Sequence, residues 1–258
     1  MYPSDLTNDE WAILKPLFPD PGYDTPKNGR PRDWSYRLIL NAIFYLTKTG
    51  CQWRMLPSDF PPWSTVYTYF RIWKQDGTWK KVHDALRDQV RIQAGKEPQP
   101  TAASIDSQSV KTSVKGGDRG YDGGKKIKGR KRHIAVDTLG LILVVWVHAA
   151  AFSDSFAGQF ILAHLKKYFK NIRKVWADCG YRGYLEEWFY RFKPKRELEI
   201  TKRPRGKFVV QARRWVVERT FGWFEGSRRL SKDYEQLPRS SEAFVYICMI
   251  RIMLRRFK

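Results

Sequence analysis

The chain has 258 residues, with 48 Lys plus Arg against 26 Asp plus Glu, a formal charge of +22 and a pI near 10.0. This excess is far beyond what solubility requires and points to a polyanionic partner, nucleic acid ahead of an anionic membrane surface, because no apolar run reaches spanning length. Three scattered cysteines (Cys51, Cys179, Cys248) and four histidines (His83, His133, His148, His164) lack ligand spacing, which excludes a disulfide scaffold and a Cys/His zinc site and leaves carboxylates to hold any metal.

The opening MYPSDLTNDEW has no charged-then-apolar signal organisation, so a cytoplasmic protein is expected. Thr7 followed three residues later by Glu10 has the pattern of a capping box and predicts a first helix there. From Trp34 to about Lys48, Leu38, Ala42, Tyr45 and Leu46 fall at helical spacing, and Gly50 ends that helix. Ser64 is the expected cap of a third helix running to Gly77. Its Val66, Phe70 and Trp73 face a core, while Thr68, Arg71 and Lys74 face outward as a helix-turn-helix reader presents them to DNA. The same spacing also suits a small helical bundle with solvated basic residues. A helical piece follows around Val82 to Ile92.

The stretch Ala94 to Pro100 has the composition of a linker, dividing a helical DNA-binding domain (residues 1–93) from a second domain (residues 101–258). The second domain has a different grammar. Strands are predicted at Thr101–Asp106, His133–Val136, Leu141–Val147, Lys174–Ala177 and Leu198–Thr201. Helices are predicted at Ser155–Phe169, Leu185–Phe192, Val209–Leu230 and Glu242–Arg256. The result is an α/β fold with a mixed sheet flanked by helices. Between the first two strands, Lys111 to Arg132 carries nine Lys or Arg against two Asp, and is expected to be a mobile basic loop that settles on phosphates through Lys125, Lys126, Lys128, Arg130, Lys131 and Arg132.

Among the few acids, Asp106 and Asp178 are placed at predicted strand ends, where neighbouring carboxylates can converge beyond a sheet edge. Glu218, in RRWVVERTFGW, could supply a third from a helix across that edge. Cleavage of a phosphodiester calls for activation of a nucleophile and stabilisation of a leaving alkoxide, and two Mg²⁺ or Mn²⁺ ions about 4 Å apart on hard oxygen ligands do both. Each acid also has a plainer role: Asp106 as a cap, Asp178 opening an Asx-turn before Gly180, and Glu218 pairing with Arg214. Asp137 and Asp154 compete with them, the first as a hairpin-turn residue and the second as the N-cap of the helix at Ser155.

The blocks LTNDEWAILKPLFP, SIDSQSVKT, GGDRGYDGGKKIKGRKRHIAVDTLGL, ADCGYRG and RRWVVERTFGWF together resemble a bacterial DDE-class insertion-sequence transposase of the insertion sequence five family, over nearly the whole chain. The resemblance implies a ribonuclease H-like catalytic domain behind a helical DNA-binding domain. It implies Asp106, Asp178 and Glu218 as the catalytic and metal-holding triad with two Mg²⁺ (or Mn²⁺) ions, and Arg214 as a phosphate contact. The implied activity is binding of the element's terminal inverted repeats in double-stranded DNA, cleavage at the ends and joining of the 3′-hydroxyl to target DNA. It is expected in a dimer or larger assembly, in the bacterial cytoplasm on the nucleoid. The alternatives are a non-catalytic repressor derived from such a protein, or a ribonuclease H-like nuclease without strand transfer. The chain departs from the family signature at Gln211, where a tyrosine is usual, and at Glu225, followed by Gly226, where a basic residue is usual; Arg228 and Arg229 are the next basic residues.

Overall fold

Four helices lead the chain in the computed structural model, which describes residues 1–19, 34–113, 117–191, 196–201 and 215–257. Helix α1 (Asn8–Leu14) starts at the capping box, with Thr7 Oγ1 accepting from Glu10 N–H and the Glu10 carboxylate accepting from Thr7 N–H. Helix α2 (Tyr36–Thr49) runs from Ser35, whose hydroxyl accepts from Leu38 N–H, to Gly50 in the left-handed region at φ 71°. Helix α3 (Trp63–Gln75) begins one residue before Ser64. Its N-cap is Pro62, held extended at ψ 133°, so Ser64 lies inside the first turn rather than capping it. Val66, Phe70 and Trp73 are buried, as the spacing predicts. A tight turn through Gly77 (φ 77°) leads into α4 (Thr78–Gln93), which starts a turn earlier than Val82 because the left-handed glycine ends one helix and opens the next.

The second part of the chain folds as β1 (Ala102–Lys111), β2 (Gly120–Asp122), β3 (Ile127–Val136), β4 (Ile142–Ala149), α5 (Asp154–Tyr168), β5 (Lys174–Ala177), α6 (Tyr184–Arg191), β6 (Glu197–Ile200), α7 (Trp215–Glu225) and α8 (Pro238–Leu254). The strands form one mixed sheet in the order β2-β3-β1-β5-β6, with β4 also on β3. Pairing of β1 with β3 is antiparallel and pairing of β1 with β5 is parallel. The expected basic loop is thus largely sheet: β1 extends through Lys111, and β3 begins at Ile127 rather than His133. The helix expected over Val209–Leu230 ends at Glu225 and is followed by a 3-10 turn at Arg228–Leu230. Its expected first part, with Gln211 and Arg214, lies outside the described residues. The last helix starts at Pro238, whose fixed φ suits a first helical position, one turn before Glu242.

Two apolar cores flank the sheet. On one face, Ala103, Ile105, Val175 and Ala177 pack with Ile161, Leu165, Leu185 and Phe189 from α5 and α6. On the other, Ile134, Val136, Val145 and Val147 join Val217, Phe221 and Phe224 of α7, the apolar length of α8, and the buried residues of α1 to α4. The helices of residues 1–93 therefore share a core with α7 and α8. Arg91 reinforces the contact from α4, with its guanidinium on the Asp137 carboxylate and on Glu97 O at 2.8 Å. Asp137 also accepts from Leu139 N–H and Leu141 N–H, so it is fully used as the turn residue between β3 and β4.

Candidate active site

The parallel ladder sets the geometry of the first two acids. Ala102, Ala103 and Ser104 of β1 pair with Lys174, Val175 and Trp176 of β5. Two residues further along each strand stand Asp106 and Asp178, and Asp178 keeps extended backbone at φ −84°, ψ 177°. Because side chains alternate along a strand, both acids share the face of Ser104 and Trp176, level with one another on neighbouring chains about 5 Å apart. Asp106 is not at a strand end, since β1 runs on to Lys111. It stands where β1 loses its β5 neighbour, in the notch that opens beyond the ladder. The Asx-turn is formed as well: Asp178 Oδ1 accepts from Gly180 N–H at 2.9 Å, while Asp106 Oδ1 accepts from Ser107 N–H at 2.7 Å. Both aspartates are half-buried.

Helix α7 packs on β1 and β3, the face that carries both aspartates. Val216, Val217, Thr220, Phe221 and Phe224 are its buried side, and Thr220 Oγ1 and Arg219 Nη2 donate to Gly140 O and Leu139 O. Glu218 lies on the exposed side, in a stripe with Gly222 and Glu225. The fold therefore brings Asp106 and Asp178 together and sets Glu218 on the helix covering their face. Among the described residues, no group of three or more His, Cys, Asp or Glu stands close enough to hold a metal ion.

Directly behind the notch, on the opposite sheet face, lies a buried polar cluster. Asp154 Oδ1 accepts from Ser107 Oγ at 2.7 Å and from Lys131 Nζ at 3.1 Å. Lys131 also pairs with Asp122 at 3.4 Å, and Asp122 accepts from Ser109 Oγ. Burial alone would raise the Asp154 carboxyl, but the Ser107 hydrogen bond and the Lys131 charge hold it below its ordinary value. His133, pushed down to about 3 by burial, is neutral and hydrogen-bonded to Tyr181 and His148. Asp154 is thus not the helix cap, a role Ser153 takes with its hydroxyl accepting from Phe156 N–H. The sequence signal for this cluster was the polar alternation of Ser107 and Ser109 along β1.

The basic residues divide sharply. Arg130, Lys131 and Arg132 are buried in β3 and face no solvent, which corrects their expected phosphate-clamping role. Their charges are consumed internally. Arg130 donates to Asp118 O, Glu235 O and Gln236 O at 2.7–2.8 Å, and Arg132 to Leu230 O and Lys232 O at 2.6 and 3.0 Å. Lys125 is exposed but donates to Ser107 O at 2.9 Å, and Lys126 and Lys128 are exposed. On α3, Thr68 and Arg71 are exposed, with the Thr68 hydroxyl donated to Ser64 O; Lys74 is half-buried and donates to Ser240 Oγ at 3.0 Å. Arg229 is buried against Glu235 and Cys51 O, so only Arg228 of that pair faces outward.

Comparison with known proteins gives this arrangement its context. Residues 6–83 match the family model for "transposase of IS4/5 family", and residues 97–253 match the model for the "Transposase DDE domain". The chain is also 30% identical over 109 residues to the "Insertion element IS402 uncharacterized 16.2 kDa protein" of Burkholderia cepacia, covering 41% of this chain and 73% of that protein. No helix among the described residues is long and apolar enough to cross a membrane. With the DDE model spanning more than half of its length and the parallel β1–β5 ladder levelling Asp106 with Asp178, the chain belongs to the DDE-domain transposases.

Proposed function

We propose that the chain binds the terminal inverted repeats of its own mobile element, cleaves the DNA at those ends and joins the freed 3′-hydroxyl to target DNA. The observation that carries this reading is the register that sets Asp106 level with Asp178, on one face, in an open notch between parallel strands. In this reading the sheet with its flanking helices is a ribonuclease H-like catalytic domain (residues 101–258), preceded by a helical DNA-binding domain (residues 1–93).

The donor set suits a hard divalent cation, because carboxylate oxygens are the hard ligands that Mg²⁺ and Mn²⁺ take. Asp106, Asp178 and Glu218 are the residues that would hold Mg²⁺ or Mn²⁺, two ions in the full site. When bound, such ions lower the pKa of an attacking hydroxyl and neutralise charge on the leaving oxygen. The chain itself supplies orientation. The backbone N–H groups of Ser107 and Gly180 fix one oxygen of each aspartate, and Thr220 and Arg219 seat α7 on the β3–β4 turn beside Glu218. Glu218 is the residue that would complete the ligand set from α7. Thr68 and Arg71 of α3 face the repeat, Lys125, Lys126 and Lys128 line the approach to the notch, and Arg214 adds a phosphate contact from the segment before α7. Two DNA ends handled together imply a dimer or larger assembly on DNA.

The test supplies a pre-cut element end and a target plasmid in Mg²⁺. Joined product is expected from the wild-type chain, and Asp106→Asn or Asp178→Asn should lower it by about a hundredfold or more. Full activity in either variant would overturn the assignment. Cleavage without joining would point instead to a nuclease, and binding alone to a repressor.

A further inference from the structure

Helix α5 carries an aromatic ring at every fourth position of its outward side. Phe156, Phe160, His164 and Tyr168 follow one another, with Phe152 just before the helix. Centroids are 5.5 Å apart for Phe152–Phe156, 5.6 Å for Phe156–Phe160 and 4.9 Å for His164–Tyr168. These rings are not core: Phe160 is 48% and Tyr168 52% exposed. From Phe156 to Tyr168 the stripe rises about 18 Å along the helix. Soluble surfaces seldom leave so much contiguous apolar area open without a partner.

Phe160, His164 and Tyr168 of the stripe form one wall of a cavity of about 650 Å³, whose other sides are β4, the α3–α4 turn and α8. Trp146 of β4 meets Phe160 at 4.6 Å and adds a further ring. The rim is cationic. Lys167 stands 5.0 Å over the Tyr168 ring, and Lys74 and Lys80 face it from the α3–α4 turn, the first bonded to Ser240 and the second paired with Asp84. The one carboxyl in the lining, Glu242, accepts from Val147 N–H at 2.9 Å, and burial pushes it up to about 7, which mutes its negative charge.

We propose that this groove is a stacking platform for an unpaired DNA strand, with Phe160 and Tyr168 against bases and Lys167 and Lys74 against phosphates. Aromatic faces accept any base, and a lysine rim follows the backbone. A duplex is too wide for a cavity of this size. A second copy of the chain is disfavoured by charge, because it would press two lysine-rimmed surfaces of chains at +22 together. The inference shares with the proposed function only the premise that the partner is DNA.

Fluorescence anisotropy of the full chain with a labelled oligothymidine of about 15 nucleotides, and with a blunt duplex, tests it. Phe160→Ala/Tyr168→Ala should weaken oligothymidine binding about tenfold or more while leaving duplex affinity within about twofold. Tyr168→Trp should retain binding, and Lys167→Gln should lower the salt slope by about 0.7. Unchanged oligothymidine affinity, an equal loss on both ligands, or a change in oligomeric state in place of a binding loss would overturn the proposal. Asp106→Asn lies outside the groove and separates the two readings. It should keep its oligothymidine affinity, and retained cleavage in that variant would remove the metal site while leaving the groove intact.

Discussion

Arg130 lies in the most basic stretch of the chain, yet its side chain is fully buried, and replacing it with methionine distinguishes a structural role from a DNA-contacting one. The substitution keeps an unbranched apolar stem and removes the guanidinium. Three carbonyl oxygens, of Asp118, Glu235 and Gln236, lose their donor. The Asp233 carboxylate, also fully buried, loses a cation 3.2 Å away. That ion pair lacks hydrogen-bond geometry at Asp233 Oδ2, although Asp233 Oδ1 keeps the Glu235 N–H at 3.0 Å. Removing one partner from a buried pair typically costs roughly 3–5 kcal/mol, and the retained Glu235 contact puts the expectation at the lower end. In a chain of this size that is a fall in Tm on the order of 10 °C. Thermal and urea midpoints measure it, with Arg130→Met/Asp233→Asn recovering part of the loss. A variant that melts like the wild type but binds duplex more weakly, with a salt slope smaller by about one, would refute the reasoning and return Arg130 to the DNA-binding surface.

Gly129→Ala should destabilise strongly, by about 3 kcal/mol or more, because an added Cβ would stand 1.9 Å from Val110 O across the β1–β3 ladder; soluble, stable protein would contradict that register. Glu242, raised to about 7 by burial, holds its proton more tightly folded than unfolded, so wild-type stability should fall as pH rises from about 4.5 through 7 and then level. Glu242→Gln should remove that fall and gain on the wild type by about 2 kcal/mol between pH 5 and pH 8, as chemical denaturation at the two pH values will read; parallel profiles would count against it. Glu225→Lys should steepen the salt dependence of duplex binding by about 0.9 if the Glu218–Gly222–Glu225 stripe faces DNA, and an unchanged slope would turn that stripe away from the duplex.

The local rules carried far in the helices. Thr7 and Glu10, Gly50 at the end of α2, and the Val66–Phe70–Trp73 spacing each depend on neighbours within a turn or two, and each is found as read. Asp106 shows where such rules stop. Its position in SIDSQSVK says only that an acid follows a short apolar run, whereas its value to a site comes from β5, a strand some seventy residues later that ends just where Asp106 needs open space. The basic segment shows the same limit from the other side. The run Arg130, Lys131 and Arg132 looks like a solvated loop because three successive cations show no alternation of apolar with polar residues. The carbonyls that bury Arg130 and Arg132 come largely from residues 230 to 236, and the carboxylates facing Lys131 belong to Asp122 and Asp154. A guanidinium can be interior when three carbonyls converge on it, and that convergence is a tertiary fact.

Glu225 becomes intelligible on the same terms. It is the last residue of α7, where the carbonyl end of the helix disfavours a negative charge and favours a cation. The cation is present, but it comes from α2: Lys48 Nζ donates to Gly226 O at 2.6 Å, one residue past the helix. The fit around it is close, since at Gly50, which ends α2, an added Cβ would stand 3.1 Å from the Arg228 backbone. Arg229 closes the same corner from within, donating to Cys51 O and to Glu235. The C-terminal end of the helix bearing Glu218 is therefore anchored by α2, whose buried face packs with that of α3. The helix bearing Glu218 is thereby tied through α2 to α3, the helix that carries Thr68 and Arg71.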